Sequence, residues 1–241
     1  MTATSSLTER QNINSVSKKP LLPLLTAWLF TLIGGYLSAY AYVLLDGVFA
    51  NMQTGNLIKC AIFAIEGKPF GYLLLSIAAF VFGVAVAAAL GKVKAGNFIS
   101  IIIEALAIGV CVILAEKGDD YKLALNLIIS FSCALQYEFF RMVGESGFTS
   151  VMCTNNMRLA VRNLTLGAIE KNKSKLFEGV YFLSFMLLFV SGVVAGTLMS
   201  DAVGYIAVAF VWIPLAVILI LQIAAGQKRV KNKSAVESGC R

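Results

Sequence analysis

The chain has 241 residues, 59% hydrophobic and only 14% charged, with a mean hydropathy of +0.82. Soluble domains carry about a quarter charged residues, so the composition describes a membrane protein and leaves no length for a separate soluble catalytic domain. The absence of His removes His-based acid–base chemistry, Ser/His triads and the commonest metal ligand. No enzyme activity, cofactor or metal is expected.

A 20-residue tail, with Lys18 and Lys19 at its end, precedes the first apolar run. Six long runs then follow: Leu21 to Leu45, Phe70 to Leu90, Phe98 to Ala115, Leu123 to Val143, Leu176 to Met199 and Val203 to Ala225. Each is long enough to cross about 30 Å of hydrocarbon as a helix, and none alternates as a barrel strand does. The first run is longer than the apolar core of a signal peptide, so it is expected to be retained. The predicted fold is all-α: a polytopic membrane bundle of about six transmembrane helices in one domain, 21–225. A basic tail, 226–241, follows it.

Charge sets the orientation. With both ends on one side, that side carries sixteen of the 20 Lys and Arg residues; Lys59, Lys68, Lys117 and Lys122 fall on the other. The positive-inside rule then places both termini in the cytoplasm. The net charge of +7 reads as topology signal, and no nucleic-acid partner is expected. The five cysteines show no paired spacing, and Cys60, Cys111, Cys133 and Cys153 lie in or beside apolar segments, as small hydrophobes do.

One internal match stands out. Met52-Gln53-Thr54-Gly55-Asn56 and Met152-Cys153-Thr154-Asn155-Asn156 share Met-x-Thr-x-Asn at an interval of 100 positions. Each copy follows the first span of a three-span unit, and each is followed by a span with small residues four apart, Gly83 with Ala87 and Gly192 with Gly196, a spacing suited to close helix packing in lipid. Three spans separate the copies, so the expected architecture is two inverted three-span repeats, 21–115 and 121–225. Such repeats place sites near the midplane at their interface.

The stretch Asp46 to Pro69 after span one is too apolar for a solvent loop, and its counterpart after span four is amphipathic, so the two differ chemically. Leu57 to Ile65 and Thr154 to Ile169 read as short half-helices, with Thr54 as an N-cap and Gly67 and Pro69 as a stop. In the second, Met157, Val161, Leu164 and Ala168 form one side and Arg158, Arg162 and Thr165 another. If both enter the bilayer, their N-termini and the polar groups of Thr54, Gly55, Asn56, Thr154, Asn155 and Asn156 offer a site for an anion or polar neutral solute, which Arg158 and Arg162 bias toward anions. If they lie at the interfaces, the arginines face headgroups instead.

Ionisable groups within hydrocarbon are functional candidates by default. Glu104 lies inside the third span and is the leading candidate for a proton-carrying or substrate-facing carboxylate, with a neutral, hydrogen-bonded structural acid as the alternative. Glu138 has Arg141 three residues on and reads as an ion pair. Gln136 and Ser38 occupy similar places relative to the two motifs and are expected to line the same cavity.

The segments Gly35-Tyr36-Leu37-Ser38-Ala39, Val48-Phe49-Ala50-Asn51-Met52-Gln53-Thr54-Gly55-Asn56, Ala134-Leu135-Gln136 and Met152-Cys153-Thr154-Asn155-Asn156 together resemble the YoaK-like family of bacterial integral membrane proteins. The resemblance spans nearly the whole chain from the first run onward. It departs at Ser38, where that family typically has Asp, and at Thr154-Asn155-Asn156, where it has a Thr-Gly-Asn-like segment. It implies a bacterial cytoplasmic-membrane location and no defined activity; members are sometimes labelled permeases on topology. The expected function is a transporter or channel for a small solute, with the lipid bilayer as partner and a homo-oligomer allowed. The alternative is a non-transporting scaffold or accessory subunit.

Overall fold

The computed structural model describes residues 21–139, 142–143, 146–147 and 153–224. Helix α1, Leu21–Leu44, leads into a loop and the short α2, Gln53–Glu66. Helices α3, Gly71–Leu90, and α4, Gly96–Ala115, follow, then a 3-10 turn at Gly118–Tyr121 and α5, Lys122–Phe139. A two-residue antiparallel ladder pairs Met142–Val143 with Ser146–Gly147. Helices α6, Cys153–Ile169, and α7, Lys173–Val203, complete the regular order before a 3-10 segment, Gly204–Val211, and a final helix over 212–224.

Local chemistry explains several boundaries. Pro23 sits in the first turn of α1, where its missing N–H costs nothing. Helix α7 opens on Asn172, whose side chain accepts from the Ser174 and Lys175 N–H groups at 2.9 and 3.2 Å, a standard N-cap. The fourth apolar run is not helical to its end: α5 is described as far as Phe139, and Met142 and Val143 belong to the ladder.

Four stretches of the described residues are long and apolar enough to cross a membrane: Leu22–Leu44, Gly71–Leu90, Gly96–Ala115 and Lys173–Ala224. The last has 52 residues; as one helix it would reach about 78 Å, more than twice the hydrocarbon thickness. It is broken at Gly204, whose φ of 61° suits glycine. Contacts with α1 show that the chain reverses there. Gly192 lies against Leu32 and Tyr36, and Gly196 against Tyr36 and Ala39, so α7 runs parallel to α1. The Tyr36 hydroxyl donates to the Ala207 carbonyl at 2.7 Å and Tyr40 to the Tyr205 carbonyl at 2.9 Å, so residues 205–207 run the opposite way.

The same reasoning orients the rest. Tyr72 with Asn126, Ser76 with Ser130, and Gly83 with Phe131 and Ala134 make α3 and α5 parallel. Trp212 donates to the Ala105 carbonyl at 3.0 Å while Tyr205 reaches Asp119, so α4 opposes 204–212. One end of the bundle thus gathers Asp46, Gly118–Tyr121 and Gly204; Leu21, Leu90 to Gly96, Phe139 and Lys173 gather at the other.

Close helix approach depends on missing side chains. A Cβ on Gly35 would overlap the Phe189 carbonyl and one on Gly192 the Leu32 carbonyl, so α1 and α7 meet backbone to backbone. A Cβ on Gly83 would lie 2.7 Å from Ala134 Cβ and 2.8 Å from the Phe131 carbonyl oxygen, so α3 meets α5 almost as closely. The interior holds many polar groups, including Asn51, Asn56, Ser76, Glu104, Ser130 and Gln136, while Leu106, Ile113, Leu187 and Ile220 are exposed. That inversion of the soluble pattern suits a surface solvated by hydrocarbon.

Candidate functional site at the half-helix corners

Asp46 and Gly47, with φ of 58° and 69°, turn the chain back on itself after α1. The returning strand is buried at Val48, Ala50 and Asn51. Asn51 Nδ2 donates to the Gly34 carbonyl at 3.2 Å and to Ser38 Oγ at 2.6 Å, and Ser38 Oγ donates to the same carbonyl at 2.5 Å. Gly34 is ten residues before the end of α1, about 15 Å of helical rise. The loop therefore descends some way into the bundle before α2 climbs back.

Asn56 holds that corner. Its Oδ1 accepts from the Phe49 N–H at 3.0 Å, and its Nδ2 donates to the Phe49 carbonyl at 2.9 Å and to Gln53 Oε1 at 2.8 Å. The amide thus satisfies backbone groups that no regular ladder would satisfy. Gln53 adds a 2.9 Å bond to the Ala50 carbonyl. Gly55 leaves room for the Phe49 ring, which a Cβ would approach to 2.7 Å. Lys59 Nζ donates to the Gly47 carbonyl at 2.6 Å and lies over the Phe49 and Phe63 rings.

Thr54 does not cap α2. The helix starts one residue earlier, at Gln53; Met52 holds the N-cap position without a side-chain bond, and Thr54 is exposed. Thr154 is likewise exposed, because α6 starts at Cys153. Asn155 accepts from the exposed Arg158 guanidinium at 3.1 Å, and Asn156 is buried. The inward face of α6 differs from both expected sides: it is Asn156, Ala160, Asn163 and Gly167. Met152 and Arg141 lie outside the described residues.

The corners nevertheless correspond. From residue 53 to 60 and from 153 to 160 the order of buried, half-buried and exposed positions is identical, with Asn56 and Asn156 inward in the same register. Their heights agree as well. Leu164 meets Gly179, and Gly167 meets Leu176, so α6 lies antiparallel on α7. Eleven residues back from Leu164 and eleven forward from Gly179 put Cys153 at the level of Val190, where Gly35 faces Phe189 and Val193. Asn51 binds Gly34 at that same level of α1.

Glu104 and Gln136 form a second polar centre between α4 and α5, with Gln136 Nε2 donating to Glu104 Oε1. Both are buried. Ser38 and Gln136 therefore belong to separate hydrogen-bonded pairs, Ser38 with Asn51 and Gln136 with Glu104. Asn51, Asn126 and Ser130, which sequence reasoning did not single out as site residues, are buried polar groups too. The spacing of Asn126, Ser130 and Gln136 on one helix was the available signal.

At the Asp46 end, a cavity of about 270 Å³ is lined by Asp46, Tyr72, Asp119, Asp120, Lys122 and Asn126. Lys122 Nζ lies 3.6 Å from Asp46 and 3.2 Å from Asp119. The Tyr205 hydroxyl and the Lys122 ammonium together hold the Asp119 carboxyl below the usual carboxylate range.

No curated protein and no solved structure matches the chain. One family model does, over residues 26–221, from the first turns of α1 into the final helix. That match takes in both corners and all the helices that position them, and it makes the chain a member of DUF1275, a family described as of unknown function.

Proposed function

We propose that this protein is a transporter or channel for a small anion or polar neutral solute, built from two inverted three-pass repeats in a bacterial cytoplasmic membrane with both termini inside. The carrying observation is the return of the chain to the Gly34 level, where Asn51 bonds to the middle of α1. Irregular backbone at such depth is tolerated where it is buried in protein or lines a cavity, and the half-helix N-terminus it creates is a partial positive charge.

Reciprocal packing supports the repeat. Helix α1 of the first unit lies on α7 of the second, and α5 of the second lies on α3 of the first; α4 and the 204–211 segment pack on each other, and each short helix lies on the helix that follows it. Such exchange is what a pseudo-two-fold axis in the membrane plane produces. Inward Asn56 and Cys60 stand 100 positions from Asn156 and Ala160, which are also inward. The YoaK-like resemblance, with its permease label, points the same way. On this reading Thr54, Gly55, Asn56, Thr154, Asn155 and Asn156 surround the solute, Arg158 biases it toward anions, and Ser38, Glu104 and Gln136 complete the polar interior.

One observation favours a scaffold instead: the Asn56 amide is spent on the loop's own backbone and on Gln53. Flux measured in proteoliposomes across small anions, weak acids and polar neutral solutes separates the two. Transport predicts flux of at least one class above empty liposomes; folded protein with none refutes it.

A further inference from the structure

A buried polar stripe runs along α5. Asn126, Ser130, Cys133 and Gln136 recur at three- and four-residue intervals, which places them on one helix face, and all four are buried. The stripe opens at the Asp46 end, where Asn126 lines the cavity that also holds Asp46, Asp119 and Lys122. From there Ser130 Oγ lies 3.2 Å from Asn126 Oδ1 and 2.7 Å from Ser76 Oγ. Cys133 comes next, and Gln136 ends the stripe with its bond to Glu104. Glu104 is 1% exposed and belongs to none of the ion pairs seen among the described residues.

Gln136 Oε1 is fully buried and has no hydrogen-bond partner among the described residues. A carboxylic acid facing a primary amide makes two bonds: the amide N–H donates to one acid oxygen, and the acid O–H donates to the amide oxygen. The orphaned oxygen is the acceptor that second bond requires. A carboxylate supplies no hydrogen for it and adds a buried charge without a cation.

We propose that Glu104 takes up and releases a proton, that the proton travels from the Asp46-end cavity along the α5 stripe, and that this ionisation drives solute movement. Uptake forms one O–H bond on the Glu104 carboxylate as one O–H bond of a hydronium ion at the cavity breaks and leaves water; release reverses it, and no electrons change hands. The titratable groups facing this region are Cys133 on α5, Cys111 on α4 and Tyr40 on α1 in the surrounding core, with Tyr72 on α3 at the cavity and Tyr205 beyond α7 bonded to Asp119. The charged ones are Asp46, Asp119, Asp120 and Lys122 in the cavity. The coupling to solute rests on the transport reading; the proton site does not.

The test is pH-difference infrared spectroscopy of the full chain in liposomes without solute. A protonated-carboxyl band is expected to grow as pH falls and to vanish in Glu104→Gln. In Gln136→Leu it should still titrate but at a shifted frequency, because the amide partner is gone. A Ser76→Ala, Ser130→Ala double variant should keep the band and delay its appearance several-fold after a pH jump. A band that survives Glu104→Gln, a band that does not move in Gln136→Leu, or no titrating band in the wild type overturns the proton site. An undelayed double variant overturns the path. With an imposed pH gradient, wild-type vesicles should accumulate solute faster than those with Glu104→Gln, and equal rates overturn the coupling. Wild-type protein without any flux defeats the transport reading while the infrared result stands.

Discussion

Asn56 is where a single substitution tests the corner most directly. Replacing it with Leu removes the acceptor of the Phe49 N–H and the main donor to the Phe49 carbonyl, which keeps only a 3.4 Å contact from Gln53. Each buried backbone group left unmet costs about 1–3 kcal/mol, so the expected loss is roughly 2–5 kcal/mol. Asn56→Asp keeps the acceptor but turns an oxygen toward the Phe49 carbonyl and Gln53 Oε1, so it should lose nearly as much. Thr54→Val, two residues away, removes no cap and lies on an exposed face; its effect should stay within about 0.5 kcal/mol. Equilibrium unfolding in mixed micelles reads these differences, and flux in liposomes reads their functional counterpart. An Asn56→Leu protein as stable as Thr54→Val would refute the assignment of Asn56 as the clasp of the corner.

Other perturbations follow from the same contacts. Gly192→Val should destabilise by about 1–3 kcal/mol in the same unfolding assay, the usual cost of overpacking, because its Cβ has no space beside the Leu32 carbonyl; Gly71→Ala, with nothing within 4 Å of the new atom, should not. Tyr36→Phe loses a buried 2.7 Å bond to the Ala207 carbonyl and should cost about 1 kcal/mol, seen as a lower unfolding midpoint. Asp119 has a depressed carboxyl, so its contribution is complete above its unfolded value and is lost as pH falls through the folded one; Asp119→Asn should flatten the acid side of a stability–pH curve. Maleimide labelling should leave Cys111 and Cys133, both fully buried, unmodified in folded protein.

Much of the fold was legible because hydrophobic burial leaves a one-dimensional trace. The run Phe70 to Leu90 reappears as α3 with one residue's change, and Thr154 to Ile169 as α6 with one more. Boundaries failed where polar and apolar signals conflict. Helix α5 carries Asn126, Ser130, Ser132 and Gln136, and the run was read through Met142 and Val143, which belong to the ladder, since nothing in hydropathy separates the two. The threonine cap failed for a similar reason. A Thr before Gly-Asn is a fair N-cap for a helix that begins beyond it, but Asn56 already has its amide in the preceding loop, which draws the first turn back to Gln53.

From the sequence alone come the membrane class, the six apolar runs, the uneven distribution of Lys and Arg between them and the Met-x-Thr-x-Asn echo across 100 positions. Each is a property of a residue or of near neighbours, fixed by transfer free energy and helical period. The tertiary structure decided which polar residues matter. Asn51 finds Gly34 seventeen positions away, and Gln136 finds Glu104 thirty-two away. A buried amide is committed only by the partner that folding brings to it, and where water is excluded that partner settles whether the group fastens a corner, as Asn56 does, or is left with an oxygen to offer, as Gln136 is.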